Sequence, residues 1–246
     1  MKTLAFASRN TKEILRDKLN LIFGLGFPLI VLFLLSLIQS NIPVSLFEIE
    51  RLTPGIAVFG LSFISLFSGM LIAKDRTSSF MLRLLTSPMT AGSFILGYTL
   101  PLLPIAVMQS VICFIAAFFL GLNPSANVPI AIIVTIPAAI LFIAIGLLCG
   151  SLFNDKQVGG ICGALLTNLS AWLSGIWFDL NLLGGVFKTI ADWLPFAHAV
   201  NAGRYALAGE YTKIMPDLLW VIAYAAVIFL TAILVFYSKN FVSRIN

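Results

Sequence analysis

The sequence predicts an all-α integral membrane protein. It has six transmembrane helices, an N-terminal amphipathic interfacial helix and a re-entrant outer helical hairpin between spans five and six. Three observations predict this class. Of 246 residues, 60% are hydrophobic and only 10% are Asp, Glu, Lys or Arg, too few charges to coat a water-facing surface. Six apolar runs each reach the ~20 residues a helix needs to cross a hydrocarbon core. The charges fall between these runs, not in their middles. An ordinary soluble domain, a disordered chain and a collagen-like fibre are thereby excluded. Residues 1–246 read as a single membrane domain, with no internal repeat or low-complexity linker.

The leader, residues 3–18, places Leu4, Ala7, Thr11, Ile14 and Leu15 on one helical stripe and Arg9, Lys12, Glu13 and Arg16 on the other. A basic amphipathic helix of this kind lies along the inner membrane surface. It serves either as an orientation anchor or as an elbow that touches a cytoplasmic partner. The first apolar run, 19–39, follows a leader containing Glu13 and Asp17, and no small-x-small cleavage pattern follows it, so it reads as a retained span and not a signal peptide. Runs 54–73, 94–120, 128–153, 158–178 and 218–238 complete the set. Backbone in lipid must satisfy its own polar groups, which requires helices, and the lack of alternation excludes a β-barrel.

Six spans put both termini on one side. That side carries eleven of the 15 basic residues: Lys2, Arg9, Lys12, Arg16, Lys18, Lys74, Arg76, Arg83, Lys156, Lys239 and Arg244. The other carries Arg51, Lys188, Arg204 and Lys213. The excess sets both termini in the cytoplasm of a multi-pass plasma-membrane protein. The formal net charge of +5 therefore reports orientation and not nucleic-acid binding.

Between spans two and three, residues 74–93 form the longest cytoplasmic loop. Phe80, Met81, Leu84 and Leu85 recur at helical spacing around Arg83, and Pro88 ends the run. The apolar face of this short helix needs either the membrane surface or a partner's groove. Between spans five and six, residues 179–217 are too apolar for a solvated loop. Two short amphipathic stretches separated by Pro195 suggest helices that dip into the outer leaflet and return. Trp177, Trp193, Tyr205 and Tyr211 would mark the interface.

Chemistry-bearing patterns are sparse. No Asp, Glu, Lys or Arg lies mid-span, which argues against a proton-coupled pump or voltage sensor. One histidine, His198, with no CxxC or HExxH, leaves no metal site. Cys113, Cys149 and Cys162 sit in apolar runs and form no disulfide framework. No catalytic residue is assigned: there is no G-x-S-x-G nucleophile motif. The stretch GGVFKT at 184–189 has Phe187 where a phosphate-binding loop needs glycine, so this chain has no ATP site of its own. The polar groups within the spans are weak. Ser62, Ser65 and Ser68 accompany Phe59, Phe63 and Phe67 on span two, Gln109 lies in span three, and Thr167, Asn168, Ser170 and Ser174 lie on span five. They serve either helix packing or a weakly polar, aromatic-lined path for an amphipathic cargo. His198 is either a ligand or catalytic group, or a hydrogen-bonded anchor of the outer hairpin, with Arg204 capping locally.

Two stretches together carry a family resemblance. The loop KDRTSSFMLRLLTSP at 74–88 resembles the loop after the second span of ABC-2 type permeases, the membrane subunits of one class of ATP-driven exporters. Its Leu84-Leu85 pair and terminal Pro88 carry the likeness, whereas Ser79 stands where the family often has glycine. LSGIWF at 173–178, followed by WLPFAHAVNAGR at 193–204, is similar to the family's span-five exit and outer hairpin.

The resemblance implies two six-span subunits, as a homodimer or heterodimer amid membrane lipids, docked on two copies of a separate ABC ATPase that holds the ATP and Mg. Arg9, Lys12 and Arg16 of the leader, with Asp75, Arg76, Phe80, Arg83, Leu84, Leu85 and Pro88 of the loop, would couple to that ATPase. Spans two and five would line the path, and Trp177, Trp193, Pro195, His198 and Arg204 would build the outer closure. The expected function is a permease subunit that exports an amphipathic or lipid-like compound: a drug, peptide or lipid. The alternatives are an integral membrane enzyme acting on a lipid or isoprenoid substrate through Asp75, Arg76 and Arg83, and a passive channel.

Overall fold

Helix α1 (Lys2–Arg16) stops at Asp17, and α2 (Lys18–Asn41) starts there because the Asp17 carboxylate caps it, accepting from the Asn20 backbone N–H at 3.3 Å and from Asn20 Nδ2 at 2.7 Å. The computed structural model describes residues 2–43, 45, 47–78 and 89–239. The described chain continues as α3 (Ile49–Thr77), α4 (Ala91–Phe119), α5 (Val128–Leu152), α6 (Asp155–Val158), a π-helix over Gly159–Leu166 and α7 (Thr167–Leu173). Short helices α8 (Leu180–Leu183), α9 (Gly185–Trp193) and α10 (Pro195–Ala208) lead into α11 (Tyr211–Tyr237). No strand occurs among the described residues.

Among the described residues five helices, α2, α3, α4, α5 and α11, are long and apolar enough to cross a membrane. They coincide with five of the six runs read from sequence and extend past them by several residues in places. The remaining run, expected at 158–178, is not among these five. Helix begins at Asp155, behind a capping box in which Asn154 accepts from the Gln157 N–H at 2.9 Å. It passes through the π segment and α7, then ends where Gly175 adopts φ +69°. This continuous helical stretch rises about 28 Å, and its middle holds Gly159, Gly160 and Gly163, residues with little intrinsic preference for α spacing.

Helix α3 forms the centre. It is buried along most of its length and packs mainly against α5, with α2, α4, α10 and the π segment around it. The α3–α5 crossing is close because its contact residues are small. A Cβ on Gly146 would overlap Ser68 Oγ and the Ser65 carbonyl, and one on Gly150 would overlap the Gly69 carbonyl. Ser68 Oγ donates to the Ile143 carbonyl across this seam at 3.1 Å. Small residues allow such approach where lipid supplies no hydrophobic drive between helices. By contrast, α2 and α11 leave most of their apolar surface outward.

The leader differs from its sequence reading in rotation. Phe6, Ala7, Asn10 and Ile14 face the bundle, whereas Leu4 and Leu15 point away. Phe6 packs edge-on against Phe94 and Tyr98, and Asn10 Nδ2 donates to the Gly97 carbonyl at 3.0 Å. The reason is a polar contact inside the bundle that a count of apolar residues does not register. The expected hairpin segment 179–217 contains α9 and α10, which meet at Pro195 as expected. Its last residues belong to α11, which begins at Tyr211.

Candidate functional site

At the end of the bundle where α1 lies, an ionic network joins three helices. Asp75, in the last turn of α3, is 3% exposed. Its carboxylate accepts from Arg9 Nη1 at 2.8 Å, from Arg9 Nη2 at 3.0 Å and from the Tyr98 hydroxyl at 2.9 Å. Arg9 also donates to Asn10 Oδ1 at 2.8 Å and pairs with Glu13 one turn along α1. This two-pronged guanidinium–carboxylate geometry is the strong form of such a pair. Burial and the Asp75 charge push the Glu13 carboxyl above its ordinary range, while Arg9 and Lys74 pull it back. Arg76, the next residue, donates to the Gly150 carbonyl at 2.8 Å and so caps the end of α5. Lys12 and Arg16 are exposed and line a shallow groove with Arg9.

Of the coupling residues expected from sequence, Arg9 and Asp75 thus meet each other and Arg76 holds α5. Phe80, Arg83, Leu84, Leu85 and Pro88 lie outside the described residues. Tyr98 was not singled out by sequence. A tyrosine one helix away gives no pattern that points to Asp75.

At the opposite end, His198 of α10 ties together the segments on either side of it. Its Nδ1 is 2.5 Å from Asp217 Oδ1 of α11, and its Nε2 is 2.8 Å from the Asp192 carbonyl of α9. The Asp217 hydrogen bond raises the histidine's pKa; burial opposes this and the Asp192 carbonyl adds to it. The contacts join α9, α10 and α11 at one side chain. The partner acid was not legible because it lies on the next long helix. Trp220 Nε1 and the Tyr224 hydroxyl both donate to the Trp193 carbonyl, at 3.2 and 2.8 Å, which fastens α9 to α11. Arg204 donates from Nε to the Arg51 carbonyl at 3.0 Å and from Nη2 to the Gly175 carbonyl at 2.9 Å. Burial, and next the Arg51 charge, lower its pKa to about 10. Pro195 starts α10 at the position where its missing N–H costs nothing.

The weakly polar residues of the expected path divide into three groups. Ser62, Ser65 and Ser68 are fully buried, and the Ser62 hydroxyl donates to the Phe59 carbonyl at 2.7 Å. Phe59 and Phe63 pack at a tilt against Phe27 of α2, and Phe59 also meets Trp177 at 6.1 Å between centroids. Phe67 packs over Gly24 of α2. Thr167, Ser170 and Ser174 turn inward and donate to carbonyls of their own helical run, whereas Asn168 stands on an exposed face with Leu165, Leu169 and Trp172. No group of three or more His, Cys, Asp or Glu capable of holding a metal occurs among the described residues.

An all-helical bundle with several apolar membrane-length helices, whose polar anchors gather at its two ends, defines a multi-pass membrane protein. The ABC-2 type transporter family model matches residues 1–208, and the chain belongs to that family. It is 26% identical over 211 residues, 83% of this chain and 71% of the relative, to "Putative transport permease ycf38" of Porphyra purpurea. It is 26% identical over 230 residues, 88% of this chain and 78% of the relative, to the protein of the same name from Pyropia yezoensis. The family is one of transporter membrane subunits, so transport is the activity to which this chain belongs.

Proposed function

We propose that this chain is the permease subunit of an ATP-driven exporter. In this reading, two permease chains pair and dock on two copies of a separate ABC ATPase, which binds the ATP and Mg. An amphipathic or lipid-like compound moves outward. The observation that carries the reading is the Arg9–Asp75 pair. It ties the leader helix to Asp75 in the last turn of α3, which runs to Thr77 and so takes in the first residues of the expected 74–93 loop, and thereby joins the two segments expected to meet an ATPase. A conformational change in a partner can bias the bundle only through contacts that differ between states, and a shared ionic anchor transmits such a difference to α3.

Six spans complete the reading, with the 155–173 helical stretch as the fifth and both termini on the cytoplasmic side of the plasma membrane. The α9–α10 hairpin re-enters the outer leaflet and closes the path. The open face of the π segment and α7, with Leu165, Asn168, Leu169 and Trp172, meets the second permease chain. The enzyme alternative loses support, because Asp75 spends its carboxylate on Arg9 and Tyr98, and Arg76 spends donors on α5.

Co-expression with the ATPase encoded nearest to this gene, affinity purification on the permease and measurement of ATP hydrolysis test the proposal. A stable complex whose ATPase rate changes on reconstitution with the permease is expected. A permease that captures no ATPase, with an ATPase rate unaffected by it, would overturn the proposal.

A further inference from the structure

Arg51 and Arg204 face two cavities at the end of the bundle remote from Asp75, about 36 Å along α3 by helical rise. Arg204 is fixed through two of its N–H groups to the Arg51 and Gly175 carbonyls. A guanidinium has five donors, so three are unspent. Arg51 stands in the first turn of α3, and its main-chain carbonyl is the one that Arg204 grips, which fixes the two residues relative to each other. Among the described residues no carboxylate lies within the 4.0 Å of an ion pair with either guanidinium.

Asp179 lines the first cavity and Glu50 and Glu210 line the second, and none of the three reaches ion-pair distance of either guanidinium. Asp179 lines the first cavity but turns Oδ1 to the Asn181 backbone N–H and Nδ2, both at 2.9 Å. Glu210 lines the second cavity and pairs with Lys213 at 2.5 Å. The first cavity holds about 200 Å³, where one water needs ~10–15 Å³. Leu52, Ile176, Phe178 and Leu182 form its apolar wall.

The two guanidiniums face one cavity and repel one another, Asp179 offsets part of that repulsion from beyond ion-pair range, and the half-buried Arg204 pays a desolvation cost. The depressed pKa of Arg204 reflects both effects. A tetrahedral oxyanion relieves both at once, because the planar fork of donors matches its oxygens. We propose that the cavity between Arg51 and Arg204 binds a phosphate group, with the apolar wall taking an attached chain. The phosphate comes either from an anionic phospholipid or from solution.

Native mass spectrometry of the purified full chain tests this with two probes, phosphatidylglycerol against phosphatidylcholine. A parallel arm titrates inorganic phosphate against chloride at equal ionic strength, with thermal stability as readout. Arg51→Gln is the decisive variant, because the Arg204 anchor uses the Arg51 main chain and survives the change. One phosphatidylglycerol per chain is expected, with affinity falling about tenfold in Arg51→Gln, partly restored in Arg51→Lys, and with phosphatidylcholine unaffected. Stabilisation by inorganic phosphate that depends on Arg51, with no preference between the lipids, also supports the site and identifies the free anion as its source. Binding of both probes that is indifferent to Arg51→Gln overturns the proposal. The measurement uses no ATPase and no transport, so its failure and that of the exporter reading are separable.

Discussion

His198 and Asp217 approach to 2.5 Å across the junction of α10 and α11, while the other ring nitrogen of His198 faces the Asp192 carbonyl at 2.8 Å. Both ring nitrogens therefore address acceptors, an arrangement completed when the imidazole carries two protons.

The first prediction concerns pH. The folded-state pKa of His198 is raised above its ordinary value of 6.5, so the pair's contribution is fully present below that value and is lost as pH rises through the folded pKa. Thermal unfolding of the purified protein between about pH 5.5 and 8.5 measures it. The wild type should exceed Asp217→Asn most at the acidic end, and the gap should narrow towards the alkaline end. His198→Ala should cost about 1.5–3 kcal/mol at acidic pH. A gap that widens with rising pH would contradict the assignment.

The leader anchor yields a graded series. Asp75→Asn removes the buried one of the two carboxylates that Arg9 pairs with and leaves it Glu13, at a cost of about 1–3 kcal/mol once the partial exposure of Arg9 is allowed for. Tyr98→Phe removes one hydrogen bond and should cost about 1 kcal/mol. A double-mutant cycle between Arg9→Ala and Asp75→Ala should give a coupling of about 1–3 kcal/mol. Melting temperatures from size-exclusion profiles of the detergent-solubilised variants rank them. Additive single effects would show that the two residues act independently.

Packing at the α3–α5 seam gives a matched pair. Gly146→Ala pushes a methyl group into Ser68 and the Ser65 carbonyl and should cost about 1–3 kcal/mol. Gly26→Ala on α2 meets open space and should be neutral or slightly stabilising. Equal effects in the same stability assay would disprove the close crossing.

Replacing Leu84 and Leu85 with Asp tests the loop. The variant should insert and melt like the wild type, yet lose its ATPase in pull-down. Undiminished complex formation would assign the docking surface to another segment.

Much of this architecture was legible because apolar length is a strong signal. The runs at 19–39 and 128–153 coincide with α2 and α5 to within two residues. Pro195 separated α9 from α10 for a local steric reason. What stayed hidden depends on distant partners. Arg9 and Asp75 are 66 positions apart, and no periodicity links them. The rotation of α1 was misread for a related reason. Leu4 and Phe6 are both apolar, and in a bilayer an apolar residue is equally at home against lipid or against another helix. The π-helix escaped because glycine-rich stretches are compatible with several backbone spacings. In the His198 cluster the histidine was visible and its acid was not, since Asp217 read as the far border of a loop.

The two polar fastenings of the leader, Arg9 to Asp75 and Asn10 to the Gly97 carbonyl, are adjacent in sequence and fall near the middle of Lys2–Arg16. Phe6 and Ile14 are buried to either side of them, so the helix is seated along most of its length and any displacement of it bears on α3 and α4 at once.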